Sequence, residues 1–204
     1  VEPLLRRTYQ MMQAGTSRYE NAYRPLRRKL AVQVGEEDAN LLLSGVSVDG
    51  EALASLGPLL GLWQVARGEM ARDAYLQSYG HRGVHEFELS WPRPAEEPAW
   101  LERQLETLDG TDVPGLLARR RAQKEAAWQR YRERFPGEAQ RMARKLDQAA
   151  AAARAREAIR SETVRLLAAA RAFAQRAAVL SGRGDGVFFL PLAGSMRTVF
   201  GVCA

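Results

Sequence analysis

Two groups of residues in this 204-residue chain have the types and spacing that chemistry needs. The first is His81-Arg82 followed by His85-Glu86 and Glu88, which gathers the only two histidines beside two carboxylates and a guanidinium. Imidazole and carboxylate supply metal ligands or proton carriers. Gly80 and Gly83 place the group in a loop, so the four-residue interval is not that of a helical zinc pair, and Arg82 sets a cation among the would-be ligands. Two other readings remain open. One is an internal hydrogen-bond network, with Arg82 forked onto a carboxylate and His81 satisfied by backbone. The other is an anion pocket in which Arg and His donors meet glycine-exposed amides.

The second group is Arg156-Glu157-Ala158-Ile159-Arg160-Ser161-Glu162, with Arg165 and Arg171 following. Arg156 and Arg160 stand four apart, so on a helix both guanidinia can reach one anionic ligand while Glu157 and Glu162 steady them. The plainer reading is a surface salt-bridge ladder. Taken together, the candidate binding residues are His81, Arg82, Glu86, Glu88, Arg156 and Arg160, with no catalytic residue and no metal ligand assigned. Trp63, Trp100, Trp128 and Phe173 sit in helical stripes and read as core or interface.

The elements that must position these residues are mainly helical. Apolar spacing predicts one or two helices over 3–34, with a break at Gly15-Thr16-Ser17, then a short helix over 39–43 after Gly35. A loop follows over 44–50, and then a helix over about 51–78, kinked or divided at Gly57-Pro58. Gly80 reads as a helix cap. Residues 85–89 alternate polar and apolar and predict a short strand, and Trp91-Pro92-Arg93-Pro94 reads as a stiff connector. Helices are expected over 98–108, ended by Asp109-Gly110, and over 113–135, ended by Pro136-Gly137. More than forty residues without Gly or Pro then run from 138 to 181, so two long antiparallel helices are expected. Val187-Phe188-Phe189-Leu190 has the look of a second strand. The fold expected is thus mainly α, one module with an N-terminal helical part over 1–110, a long helical hairpin over 113–204 and one or two short strands.

Composition sets the outer limits. With 46% hydrophobic and 26% charged residues the chain is globular in type, and its length suffices for a core without staples. Cys203 alone allows no internal disulfide or cysteine-based zinc site, which makes a reducing, cytoplasmic setting the expectation. No apolar run reaches the roughly 18 residues of a membrane span, and the opening residues carry no export pattern. They also lack an initiator Met, so the chain is expected to start within a longer protein. The net charge is +6, and the stretch 113–181 holds sixteen basic residues against six acidic ones. Such a stripe could neutralise phosphates, but Arg on long helices also serves to keep outer faces solvated. No nucleic-acid motif accompanies it, nor is there a Walker loop, a nucleophile elbow or a dinucleotide fingerprint.

The run from Tyr79-Gly80-His81-Arg82-Gly83 through Glu86 and Glu88 to Ser90-Trp91-Pro92-Arg93 resembles the central module of phosphoenolpyruvate synthase-like enzymes and their relatives, the rifampicin phosphotransferases. Glu96-Glu97-Pro98, Leu41-Leu42-Leu43-Ser44-Gly45, the Arg156-Glu157 helix and Asp185-Gly186-Val187-Phe188-Phe189-Leu190 are similar to further segments of that family, in the same order. The resemblance implies a machine in which an ATP-grasp domain phosphorylates a histidine on a swivelling domain, which passes the group to an acceptor. Its full-length form would use ATP and Mg, with ATP-grasp and phosphohistidine domains as partners in the same polypeptide and pyruvate or a rifamycin-like molecule as acceptor. The 204 residues contain neither the ATP-grasp signatures nor the phosphohistidine segment, and His81 and His85 do not fit that context. On this view the chain holds the acceptor or positions the other domains, with no cofactor of its own. The competing expectation is a non-catalytic helical module that binds protein or nucleic acid.

Overall fold

The computed structural model describes residues 2–44, 56–108 and 110–189. Every regular element among them is helical: α1 Glu2–Leu42, α2 Gly57–Ala66, α3 Arg72–Tyr79, a 3-10 turn Pro94–Glu96, α4 Pro98–Leu108, α5 Val113–Arg134, α6 Ala139–Ser181 and a 3-10 turn Gly184–Phe189. Residues 45–50 of the expected loop, the start of the expected helix at 51–55, Asp109, Leu190 and the tail 191–204 lie outside the described residues.

The chain divides into two compact units that are interleaved in sequence, 1–71 with 105–160 and 72–104 with 161–204. In the first unit α1 and α2 pack on α5. Leu26, Leu30, Ala39 and Leu42 from α1 meet Ala127 and Tyr131 from α5 and Met142 and Ala149 from α6 in one core. Burying each of the larger aliphatic side chains contributes about 2 kcal/mol. Tyr131 stacks on Trp128 and meets Phe135 at a tilt, each about one helical turn away, and its hydroxyl donates to Gln33 at 3.2 Å. Asp112 caps α5 by accepting from the Gly115 amide at 2.9 Å. The chain reverses at Phe135-Pro136-Gly137-Glu138, as expected. Lys124 and Asp147, at similar distances from that reversal along α5 and α6, act on each other's charge, which fits an antiparallel pair. Lys124 also donates to the Ser44 carbonyl at 3.1 Å beyond the end of α1.

Two expected boundaries move. There is no break at Gly15; α1 runs through it, and a side chain there would meet Ile159 Cδ1 at 2.9 Å, so Gly15 marks a close approach of α1 to α6. The other expected interruption, at Gly35, is present, and its φ of 84° and ψ of 166° are open essentially to glycine alone. The helix expected over 51–78 starts at Gly57-Pro58, with proline in its first turn, and is divided by residues 67–71, where Gly68 has φ 72°.

In the second unit α3 packs on the 3-10 turn Pro94–Glu96. Tyr75, Leu101 and Val164 are buried, and Val187 packs on Ala177 and Ala178. Burial and the neighbouring Tyr79 push the Tyr75 hydroxyl up to about 12. Neither expected strand forms. Residues 85–87 lie in turns, and Glu86 is buried where alternation would have put Phe87 inside; Phe87 is exposed. The carbonyls of His85, Glu88 and Leu89 are taken by arginine side chains, so this backbone needs no neighbouring strand. Val187-Phe188-Phe189 coils into a 3-10 turn after Gly182 (φ 66°) and Gly184 (φ 52°). With no strand among the described residues to pair with, an apolar run of this length packs locally on α6.

Candidate functional site

The loop that carries His81 and Arg82 is shaped by a tight helix exit. The Gly80 amide donates to the Leu76 carbonyl at 2.8 Å, and the Gly80 carbonyl accepts from the Ala95 amide at 3.1 Å. A Cβ at residue 80 would lie 2.4 Å from the Leu76 oxygen and 2.8 Å from Ala95 Cβ, so only glycine allows the 3-10 turn to approach α3 this closely.

Three arginines fix the loop that follows. Arg82 Nε donates to Glu86 Oε2 at 2.9 Å, and the Glu86 residue is only 3% exposed. Arg93, 2% exposed, donates through Nη1 to the His85 carbonyl at 3.1 Å and through Nη2 to the Glu88 carbonyl at 3.2 Å. Its Nε is buried without a hydrogen-bond partner. From α6, Arg171 Nε donates to both oxygens of Glu96, Nη1 donates to the Leu89 carbonyl at 2.6 Å, and the guanidinium lies 4.9 Å from the Phe188 ring centre. Gln175 adds a hydrogen bond to Glu96 at 3.0 Å. Burial and the nearby Arg171 lower the pKa of Arg93, with Glu96, Glu86 and Glu88 acting the other way. Burial would raise the Glu96 carboxyl, but the hydrogen bonds and charge of Arg171 outweigh it and hold the group below the usual glutamate range.

His81 is 9% exposed, and its Nε2 stands 3.4 Å from Ser161 Oγ. Burial, then Arg165 and Arg82, depress its pKa against the weaker pull of Glu162 and Glu86, so the imidazole is neutral at pH 7. Glu88 sits at the exposed edge, where the amide and hydroxyl of Ser90 both donate to its Oε1 and keep it ionised. His85 packs edge-on against Trp91, with ring centres 4.3 Å apart. Val84, Phe87 and Trp91 face solvent, so a pinned loop presents apolar side chains outward.

Arg156 and Arg160 belong to the first unit. The Arg156 guanidinium lies 4.2 Å from the centre of the Tyr19 ring and donates from Nη2 to Glu157 Oε1 at 2.8 Å. Glu157 is buried, and its Oε2 has no hydrogen-bond partner. Burial and Tyr23 raise the pKa of Tyr19. Arg160 is half-buried and engaged. Glu162 pairs with Arg165 at 3.2 Å. The sequence candidates thus divide, with His81, Arg82, Glu86 and Glu88 in the second unit and Arg156 and Arg160 in the first.

Sequence reasoning left Arg93, Glu96, Ser161 and Gln175 out of the site, and it placed Arg171 with the Arg156 group. The usable signal was Arg93 itself, a charge set between two prolines in a connector, where a solvated side chain has no reason to be singled out. Arg171 gave none, because one arginine of an Arg-rich helix looks like the next.

Chemically, this is a set of paired charges with its donors turned inward onto carbonyls and carboxylates. Glu86 and Glu96 are both bound by arginine, which does not suit them to hold a magnesium nucleotide. Among the described residues no group of three or more His, Cys, Asp or Glu side chains could hold a metal ion, and no helix is long and apolar enough to cross a membrane. Set beside protein-family models, curated proteins and solved structures, the chain matches none of them.

Proposed function

We propose that this chain is the central, domain-positioning module of a phosphotransferase of the phosphoenolpyruvate synthase or rifampicin phosphotransferase type, which phosphorylates its acceptor from ATP through a phosphohistidine on another domain. The observation that carries the reading is that residues 79–97, which bear the family resemblance, are held as one piece by Arg82, Arg93 and Arg171. A loop pinned in this way keeps a constant surface for whatever meets it. Its polar groups are already paired, which favours positioning over acceptor binding for Arg82 and Glu86. Glu88, Val84, Phe87 and Trp91 are exposed on this loop and would face a partner.

The test uses the full polypeptide, assayed for ATP-dependent release of AMP with pyruvate and with a rifamycin, beside its Arg82→Lys variant. Acceptor-dependent AMP release is expected, with a lower kcat and unchanged acceptor KM in the variant, as suits a positioning residue. A native polypeptide no larger than 22.7 kDa, or ATP turnover indifferent to any acceptor, would remove the reading. A second reading, a helical docking module, draws on exposed apolar residues of α6, among them Phe173 at 78% exposure. Salt-sensitive nucleic-acid binding by the isolated chain would bring that reading forward.

A further inference from the structure

A cleft in the first unit uses none of the candidate site residues. It lies between α1 and α6 and has a volume of about 230 Å³. Asn21, Ala22, Pro25, Leu26 and Lys29 line it from α1, at spacings that put them on one helical face, and Lys145 and Gln148 line it from α6. Two ammonium groups and two amides thus meet in one concavity, with Pro25 and the buried Leu26 as its apolar side and no carboxylate in its lining.

Two features separate this cleft from an ordinary helix groove. Lys29 is paired with Glu138, which stands outside the lining, whereas Lys145 is exposed and makes no ion pair among the described residues. The cleft therefore carries one uncompensated positive charge. In addition, α1 passes Pro25 without losing its helical path, and proline has no N–H to give the Asn21 carbonyl one turn earlier. That carbonyl has lost its ladder donor, and Asn21 is one of the residues that line the cleft.

We infer that the cleft binds a small organic oxyanion, a carboxylate or phosphate monoester with a short apolar body. Its charged end meets Lys145 and Lys29, its apolar part lies on Pro25 and Leu26, and a hydroxyl on it reaches the Asn21 carbonyl. Lysine is a point-charge partner for either oxyanion. The volume holds about eight waters and falls below the range of about 300–1,000 Å³ found for drug-sized ligands, which limits the occupant to a few carbons.

The experiment is a nuclear magnetic resonance titration of the 204-residue chain with ethyl phosphate and, separately, with propanoate, at constant ionic strength and against sodium chloride. Saturable shifts are expected at the amides of Ala22, Leu26, Lys145 and Gln148. Lys145→Ala should weaken the apparent affinity about tenfold or more, while Arg119→Ala, which removes an exposed cation of α5, should leave it unchanged. Tighter binding of ethyl phosphate assigns the cleft to phosphate monoesters, and tighter binding of propanoate to carboxylates. Shifts that never saturate, that chloride reproduces, or that both variants weaken alike overturn the inference. The outcome is independent of the phosphotransferase reading, since neither acceptor nor ATP enters the measurement.

Discussion

Arg171 and Glu96 stand 75 residues apart, and Arg171 Nε donates to both oxygens of the Glu96 carboxylate, at 2.8 and 3.0 Å. The same guanidinium takes the Leu89 carbonyl at 2.6 Å. One side chain of α6 therefore holds a 3-10 turn and a loop together. The planar fork of arginine is suited to this, because it addresses several acceptors at fixed angles from a single buried position.

Removing either partner leaves the other without its counter-charge. Breaking a fully buried pair costs about 3–5 kcal/mol. The Glu96 side chain is 30% exposed, which reduces the expected loss for Arg171→Met or Glu96→Gln to about 2–3 kcal/mol. The double variant should lose less than the sum of the two, and Arg171→Lys should not rescue, since an ammonium cannot span Glu96 and Leu89 together. Urea unfolding followed by tryptophan fluorescence reads this, with Trp91 and Trp100 as reporters in the same unit. Strictly additive single losses would show that the pair does not act as a pair.

His81 gives the molecule a pH dependence of known sign. Its folded pKa lies below the ordinary 6.5, because burial and then Arg165 and Arg82 oppose the imidazolium. Between the two pKa values the unfolded chain binds more protons, so stability is full above about pH 6.5 and falls as pH drops toward the folded pKa. His81→Gln should flatten that slope. A second loss begins only below about 4.5, where Glu96 of the unfolded chain takes up a proton and the folded carboxyl, held lower by Arg171, does not yet do so. Stability measured from about pH 8 to 3 checks both windows. An unchanged slope in the His81 variant would place the titrating group elsewhere.

Much of the helical plan was legible because it rests on local chemistry. Pro98 and Pro114 near helix starts, the Pro136-Gly137 reversal and the stop of α6 before Gly182 are all dictated by φ preferences and missing donors. The strand at 85–89 was misread because alternation reports only which side chains could share a face. It does not show that Arg93 and Arg171, distant in sequence, would take the carbonyls that a neighbouring strand would have used. For the same reason Arg82 was legible as a carboxylate partner four residues from Glu86, while the partnership of Arg171 with Glu96 was not. The two glycines of α1 divide similarly, because Gly35 is placed by backbone angle, whereas Gly15 is placed by the distance to another helix.

That contrast predicts opposite responses within one helix. Gly35→Ala forces a Cβ into φ 84°, ψ 166°, at a cost of about 1–3 kcal/mol, although nothing lies within 4 Å of it. Gly15→Ala has helical angles, gains up to about 1 kcal/mol of helix propensity, and meets only the flexible tip of Ile159. It should be neutral to within about 1 kcal/mol. Chemical denaturation of the two variants separates them, and a Gly15→Ala loss as large as that of Gly35→Ala would mean that the α1–α6 approach cannot yield.

Gly80 differs from both. Its φ is unexceptional, but a Cβ there would press on the Leu76 carbonyl oxygen at 2.4 Å and on Ala95 Cβ at 2.8 Å. Neither can step aside cheaply, because the Leu76 oxygen accepts the Gly80 amide and the Ala95 amide donates to the Gly80 carbonyl. Gly80→Ala should therefore destabilise the second unit by about 1–3 kcal/mol. Ala95→Gly in the same chain should recover only part of this, since it relieves one contact and not the backbone one. The turn that carries Ala95 also presents Glu96 to Arg171, so displacing it should weaken that pair as well. Gly80→Ala combined with Glu96→Gln is then expected to cost less than the sum of the two separately. If the pair of changes were additive, the helix exit at Gly80 and the arginine clamp would be independent devices, and the loop between them would not be held as one piece.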